Sequence, residues 1–310
     1  MKETKFQFDS RAAVKATEAE LEILKKYKKR NQAVEVWRRL RKNKAAVVGM
    51  VIIIALTLLA IFANSIYDYN GVVIKANYGT TLQSPSLQHL FGTDEMGRDI
   101  LARVLHGARV SLKIAVITTA ISLTVGGLLG AYSGFLGGWV DGIIMRIMDI
   151  FLAVPNMLLA LTIVAAFGCD LKNLMIAIAV SDIPRFARIL RSTILSIKDN
   201  EYVEAARAAG AKTNTIIFRE ILPNCLAPLI VQVSIVMAAA IITAASLSFI
   251  GLGVQAPTPE WGSMLNSARS YMRDYQYMTI FPGMAIVITV LAFNMLGDGL
   301  RDALDPRLKR

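Results

Sequence analysis

Charge, cysteine and histidine are all scarce in this 310-residue chain. Lys, Arg, Asp and Glu make up 18% of it, where a soluble domain carries about 25%. The two cysteines, Cys169 and Cys225, are too few for a disulfide framework or a four-cysteine zinc site. The two histidines, His89 and His106, argue against a histidine-built metal centre. The pattern G-x-x-x-x-G-K-S/T does not occur, so this chain has no P-loop for ATP. H-E-x-x-H and G-x-S-x-G are missing too, which makes an intramembrane enzyme a poor fit. Apolar residues are abundant: 55% are of hydrophobic type and the mean hydropathy is +0.49. Those values exclude disorder, argue against a soluble enzyme, and point to an all-α polytopic membrane protein.

A helix needs about 20 predominantly apolar residues to cross the hydrocarbon core. Six stretches are candidates: 45–63, 110–135, 147–167, 174–194, 226–250 and 280–296. The first is uncharged, and the second carries Lys113 near its start. The third contains Asp149 and Pro155, and the fourth is interrupted by Asp182, Pro184, Arg185 and Arg188. With six alternating transmembrane helices, 26 of the 34 Lys and Arg fall on the side of the N-terminus, seven on the other side, and Lys113 within a span. This is the positive-inside asymmetry, so both termini are expected to be cytoplasmic. The net charge of +11 then reflects topology and anionic membrane lipid, with no nucleic acid partner.

The division that follows is a basic leader at 1–44, the first span and an outer loop at 45–108, the main transmembrane domain at 109–298, and a tail at 299–310. No cleavable signal peptide is visible, because the first apolar run is of full spanning length. In the leader, Ala33, Val36, Trp37 and Leu40 recur at helical spacing, which predicts an amphipathic helix on the inner membrane face. Residues 1–30 read as a solvated segment. In the outer loop, Thr93 or Asp94 is expected to cap a helix reaching about Gly107, with Arg98, Asp99 and Arg103 on its polar side. That helix is either a plain surface helix or a contact for something outside the cell.

Gly126, Gly130, Gly134 and Gly138 recur every four residues, with the last two at the edge of a turn. This spacing permits close helix packing in lipid. Lys113, Arg146, Asp149, Asn156, Asp182, Arg185, Asn294 and Asp298 lie at membrane depth and should face the bundle interior or a wet path. Arg146/Asp149 and Asp182/Arg185 have the spacing of local ion pairs. Polarity at that depth makes Asn156, Asp182, Arg185 and Asn294 the candidates for a translocation path. The last external loop holds Gly251 and Gly253, which break the fifth span, Pro257 and Pro259, and Trp261, which is expected at the membrane–water interface. A short helix is expected over 260–271.

The loop 196–224 is the most informative segment. Asp199 or Asn200 caps a short helix containing Glu204, Ala205, Ala206, Arg207, Ala208 and Ala209, and Gly210 permits the left-handed turn that ends it. Ile216, Ile217, Ile221 and Leu222 form a second amphipathic turn before Pro223. The alanine face is nearly bare backbone, suited either to close approach by another protein or to rest on the membrane.

Glu204-Ala205-Ala206, three residues, Gly210 and then Leu222-Pro223 resemble the "EAA" loop of ABC importer permeases, with Glu220 in place of the usual isoleucine. FGTDEMGRDIL at 91–101, SFIGLGVQAPTPEWGSML at 248–265 and FNMLGDGLRDALDPR at 293–307 look like the dipeptide/oligopeptide/nickel branch, and within it the subunit with the short first outer loop. The resemblance covers about residues 35–310. It implies a type I ABC importer permease fold in a bacterial or archaeal inner membrane. It further implies a second homologous permease, two cytoplasmic ATPase subunits docked on the EAA loops, and an extracytoplasmic solute-binding protein. No cofactor is expected on this chain, with ATP and Mg on the partner subunits. Glu204, Ala205, Ala206, Gly210, Leu222 and Pro223 would couple it to the ATPases. Peptide is the implied cargo, with nickel or an oligosaccharide as the alternative. An autonomous channel would leave the EAA loop without a use.

Overall fold

The computed structural model describes residues 32–304, so the readings for residues 1–30 and for the end of the tail lie outside the described residues. Among the described residues there are helices and no strands, only an isolated bridge between Thr93 and Asp99.

The chain begins with α1 (Gln32–Leu40) and α2 (Lys44–Ile66), and Asn43 caps α2 by accepting from the Ala46 N–H. Val36 and Leu40 pack with Ala46, Leu300 and Ala303, while Trp37 stays exposed, so α1 rests partly on the end of the last helix. Side chains such as Val51, Ile54, Ile61 and Phe62 on α2 are exposed, as suits a surface solvated by lipid tails.

α3 (Ile100–Leu136) differs from the expected surface helix in the outer loop. It runs unbroken from that loop through the second span, and its cap is Asp99, which accepts from the Ala102 N–H at 2.9 Å. Asp94 is drawn into another role: it accepts from the N–H groups of Met96 and Arg98 and from the Arg98 guanidinium. The helix passes through Gly107 because Trp261 fills the space beside that glycine, and an added Cβ there would lie 2.9 Å from the indole. Arg98, Asp99 and Arg103 are correspondingly buried rather than solvated.

The expected third span is bent. α4 (Gly138–Ala153) and α5 (Asn156–Phe167) meet at 88° around Pro155. Proline supplies no N–H and forces its predecessor, Val154, into extended backbone at φ −98°, which stops α4. α6 (Leu171–Ile197) follows and carries Pro184 within it. It is long enough to cross, but Asp182, Arg185, Arg188 and Arg191 make it too polar to stand in lipid alone.

After α7 (Glu201–Ala208), a helical run of 37 residues extends over Thr213–Phe249, and its regular part is α8 (Leu226–Phe249). α9 (Trp261–Ala268) and α10 (Tyr277–Leu304) complete the described chain. Among the described residues, four helices are long and apolar enough to cross a membrane, and there are five if the bent α4–α5 pair counts as one span.

The glycine spacing in α3 is used as expected. A Cβ at Gly126 would meet the Ile183 carbonyl of α6 at 2.4 Å, and one at Gly130 the Ala187 carbonyl at 2.3 Å. Gly134 is still helical and faces Arg191, whereas Gly138, at φ +53°, is the first residue of α4 and has nothing near it. Gly49 and Gly299 likewise let α2 and α10 approach, and Gly297 faces Ser234 near the start of α8. The Gly299–Ala46 contact brings the two ends of the described chain together.

Candidate coupling loop and polar path

α7 has two unlike faces. Val203 is fully buried in a cluster with Phe135 of α3, Phe186, Leu190 and Ile194 of α6, and Ile216, Ile217 and Ile221 beyond the turn. Ala206 and Leu222 are half-buried against the same cluster. Arg207 covers the Phe135 ring at 5.1 Å, a cation–π contact at the foot of α3. The opposite face leaves Glu201, Glu204, Ala205, Ala208 and Ala209 exposed. Asn200 is the N-cap residue, although its side chain makes no capping hydrogen bond.

Gly210 sits at φ +77° with nothing within 4 Å of a Cβ position. Its N–H bonds the Arg207 carbonyl, and the next N–H, of Ala211, bonds that of Ala206, which closes the helix end as expected. Pro223 is exposed where a wide π-type turn (Ile216–Ile221) passes into the run leading to α8. The loop is therefore a short helix that packs on the Ile216–Ile221 turn and shares, through Val203, a buried cluster with residues of α3, α6 and α8, with a smooth ridge turned outward. A push on the ridge has a stiff route into α3, α6 and α8.

Three of the four path candidates come together. Asn156, at the start of α5, donates to Asp182 at 3.0 Å, and Arg185 approaches the same carboxylate at 3.3 Å. Asp182 is buried, while Asn156 and Arg185 are partly exposed, so the cluster sits at the inner side of the α4–α5 bend. Asn294 is exposed on α10 and has no hydrogen bond to the other three.

The expected Arg146/Asp149 pair is not formed. Asp149 bonds Arg188 of α6 at 2.6 Å, and Arg146 has no ion-pair partner among the described residues. Asp141 is held by Arg191 at 2.5 Å and by Ser133. These ties join α4 to α6 on the α7 side of the bundle. Met145, Asp149, Arg188, Ile189, Arg191 and Ser192 line an open cleft of about 540 Å³ there. Sequence reasoning missed this cleft. Its only signal was that Arg188 and Arg191, three residues apart, share a face of one helix, and that Asp141 and Asp149, two turns apart, share a face of another.

At the far end, Arg98 pairs with Asp94 at 2.7 Å, and Arg103 donates to the Val73 carbonyl at 2.9 Å. Trp261 does not face lipid as expected of a membrane-interface residue: it is 1% exposed and donates to the Val104 carbonyl at 3.0 Å. Glu260 caps α9 by accepting from the Gly262 and Ser263 N–H groups. Burial raises its carboxyl above the ordinary value of 4.5, against the opposing pull of those two donors. The folded chain thus holds a proton that the unfolded chain releases above 4.5, so this group's contribution to stability is present below that value and is lost as pH rises toward the raised one. The unfolding temperature of the purified chain, followed from about pH 4 to pH 8, should fall with pH more steeply than in Glu260→Gln. Equal slopes would remove Glu260 as the cause.

The family model described as "binding-protein-dependent transport system inner membrane component" matches residues 126–310, and that for the "N-terminal TM domain of oligopeptide transport permease C" matches 31–85. The chain is 46% identical to the dipeptide transport system permease protein DppC of Alkalihalophilus pseudofirmus, over 89% of this chain and 90% of that one. It is 43% identical to the glutathione transport system permease protein GsiD of Pectobacterium atrosepticum, over 95% and 98%. In fold it is similar to a chain of the MetNI methionine ABC transporter in an inward-facing conformation, with a TM-score of 0.54 at 18% identity, over 66% of this chain and 98% of that one. Such relatives are permease subunits, transport components of multi-pass inner-membrane assemblies that work with an ATPase and a binding protein. The chain belongs to the binding-protein-dependent transport system inner membrane components, and within them to the dipeptide/oligopeptide type of ABC importer permease.

Proposed function

We propose that this chain is one half of the translocation unit of an ATP-driven importer of di- and oligopeptides. The observation that carries this reading is α7: an exposed alanine ridge, anchored by buried Val203 and ended by left-handed Gly210. An ATPase groove that closes on the ridge moves Val203 and, with it, the ends of α3, α6 and α8, which tilts the bundle between outward and inward access. Glu204, Ala205, Ala206 and Gly210 make the contact, and Leu222 and Pro223 pass the motion into α8. ATP and Mg stay on two cytoplasmic ATPase subunits, and this chain binds no cofactor of its own.

In this reading α2, α3, the α4–α5 pair, α6, α8 and α10 give six crossings, with both termini and α7 in the cytoplasm of a bacterial or archaeal cell. The polar α6 is then shielded by α3 on one side and by a second, homologous permease on the other. Asn156, Asp182 and Arg185 face the path between the two permeases, with Asn294 as an outlying member. A solute-binding protein delivers cargo at the end where Arg98 and Trp261 lie. Peptide cargo follows the dipeptide and glutathione relatives. Nickel or an oligosaccharide has no such support.

The test is uptake in cells lacking this chain, with and without its return. A labelled tripeptide should enter only when the chain is restored, and entry should stop on ATP depletion. Restored uptake of radioactive nickel without tripeptide would overturn the cargo, and uptake that persists without ATP would overturn the mechanism.

A further inference from the structure

A groove of about 500 Å³ opens on the outside of the bundle between α2, α3, α8 and α10. Ile53 of α2, Val116 of α3, Met237 of α8 and Phe293 of α10 form its apolar wall, and Arg109 and Lys113 stand at one end. The two cations are one helical turn apart on α3, and both are exposed. Among the described residues neither has an ion-pair or hydrogen-bond partner. This contrasts with Arg98, Arg103, Arg185, Arg188 and Arg191, each of which lies against a carboxylate.

The depth of the pair is fixed by α3 itself. From Lys113 to the helix end at Leu136 the axis rises about 35 Å at 1.5 Å per residue. A hydrocarbon core is about 30 Å thick. With Leu136 set at the opposite face of that core, Lys113 stands at the boundary between acyl chains and headgroups, and Arg109 about 6 Å above it, level with lipid phosphates. An unpaired cation at that level is stabilised by an anion, and the groove below it is mostly apolar.

We infer that this groove is a binding site for one anionic phospholipid, with the phosphate on Arg109 and Lys113 and an acyl chain along Ile53, Val116, Met237 and Phe293. The bound lipid fills an open seam between α2 and the rest of the bundle, and so holds α2 in place. The inference goes beyond the transport reading. It is tested by binding in detergent, where neither orientation nor cargo enters, so its failure and the failure of that reading are distinguishable.

The full chain is purified in uncharged detergent and titrated with phosphatidylglycerol or phosphatidylcholine of the same acyl chains, and the adducts are read by native mass spectrometry. Each cation near an anionic headgroup contributes about fivefold, so wild type should prefer phosphatidylglycerol by about thirtyfold. Arg109→Gln with Lys113→Gln should bring the two lipids to parity. Arg109→Lys with Lys113→Arg should keep the preference, which separates charge from folding. Val116→Trp, which fills the groove and leaves both charges, should weaken phosphatidylglycerol binding. Equal binding of both lipids to wild type, or a preference that survives the double glutamine variant, would overturn the site. Displacement of the lipid by millimolar glycerol phosphate would also overturn it, because the acyl chain would then contribute nothing.

Discussion

Gly210→Asp is expected to cut peptide uptake about tenfold or more while the chain still inserts and the partner ATPases still hydrolyse ATP. Gly210 holds φ +77° in open space, so a side chain there meets no atom and the whole cost lies in the backbone. A left-handed L-residue costs about 1–2 kcal/mol, and Asp, which like Asn enters that region more readily than most, lies at the low end. A carboxylate at a helix C-terminus, where the macrodipole is negative, adds about 0.3–1 kcal/mol. Together these lower the population of the coupling-competent loop by about an order of magnitude. Glu201 and Glu204 already make the exposed side of α7 acidic, so the new charge also alters what the ATPase groove meets. Gly210→Asn is the control: asparagine enters the left-handed region most readily and brings no charge, so it should retain much of the uptake. The measurement is uptake and ATP hydrolysis in parallel on membranes with equal amounts of chain. Wild-type uptake by Gly210→Asp would remove this loop from coupling. Loss of hydrolysis together with uptake would make the residue a docking contact rather than a transmitter.

The features legible in the sequence share one property, which is that they are local. Gly210 needs a positive φ, and a run such as 45–63 belongs in lipid wherever its neighbours lie. The features that were misread depend on a second element. Asp94 and Asp99 are equally good caps by composition, and the choice fell to Asp99 because Arg98 claims Asp94. Trp261 has the character of an interface residue, yet a glycine on α3 and the Val104 carbonyl offer a buried seat that also satisfies its N–H. Arg146 and Asp149 have pairing distance along one helix, but Arg188 on α6 reaches Asp149 at 2.6 Å. Spacing along one helix says nothing about which face a neighbouring helix covers. Of the proposed path, Asp182 and Arg185 were legible as a pair, and Asn156 joined them only through the bend at Pro155.

The glycines of α3 support a prediction in which two neighbouring positions respond with opposite sign. A Cβ at Gly130 would lie 2.3 Å from the Ala187 carbonyl oxygen and 2.9 Å from the Ala187 Cα, which are backbone atoms with no rotamer to yield. A Cβ at Gly127 would lie 3.8 Å from the end of Leu190, an ordinary contact with a flexible tip. Gly130→Ala must therefore push α3 and α6 apart, at about 1–3 kcal/mol for overpacking. Gly130→Leu should exceed that range and remove folded chain altogether. Gly127→Ala gains helix propensity, up to about 1 kcal/mol, at no steric cost. Thermal unfolding of the purified chain in detergent should place Gly130→Ala below wild type and Gly127→Ala at or above it. The same separation reaches the coupling loop, because Val203 shares one buried cluster with Phe135 on α3 and Leu190 and Ile194 on α6. Chain carrying Gly130→Ala that remains folded should therefore transport less per molecule than its stability alone accounts for. A matching drop in both glycine variants would mean that α3 and α6 are not held at backbone contact, and the route from α7 into the bundle would have to run through α8 instead.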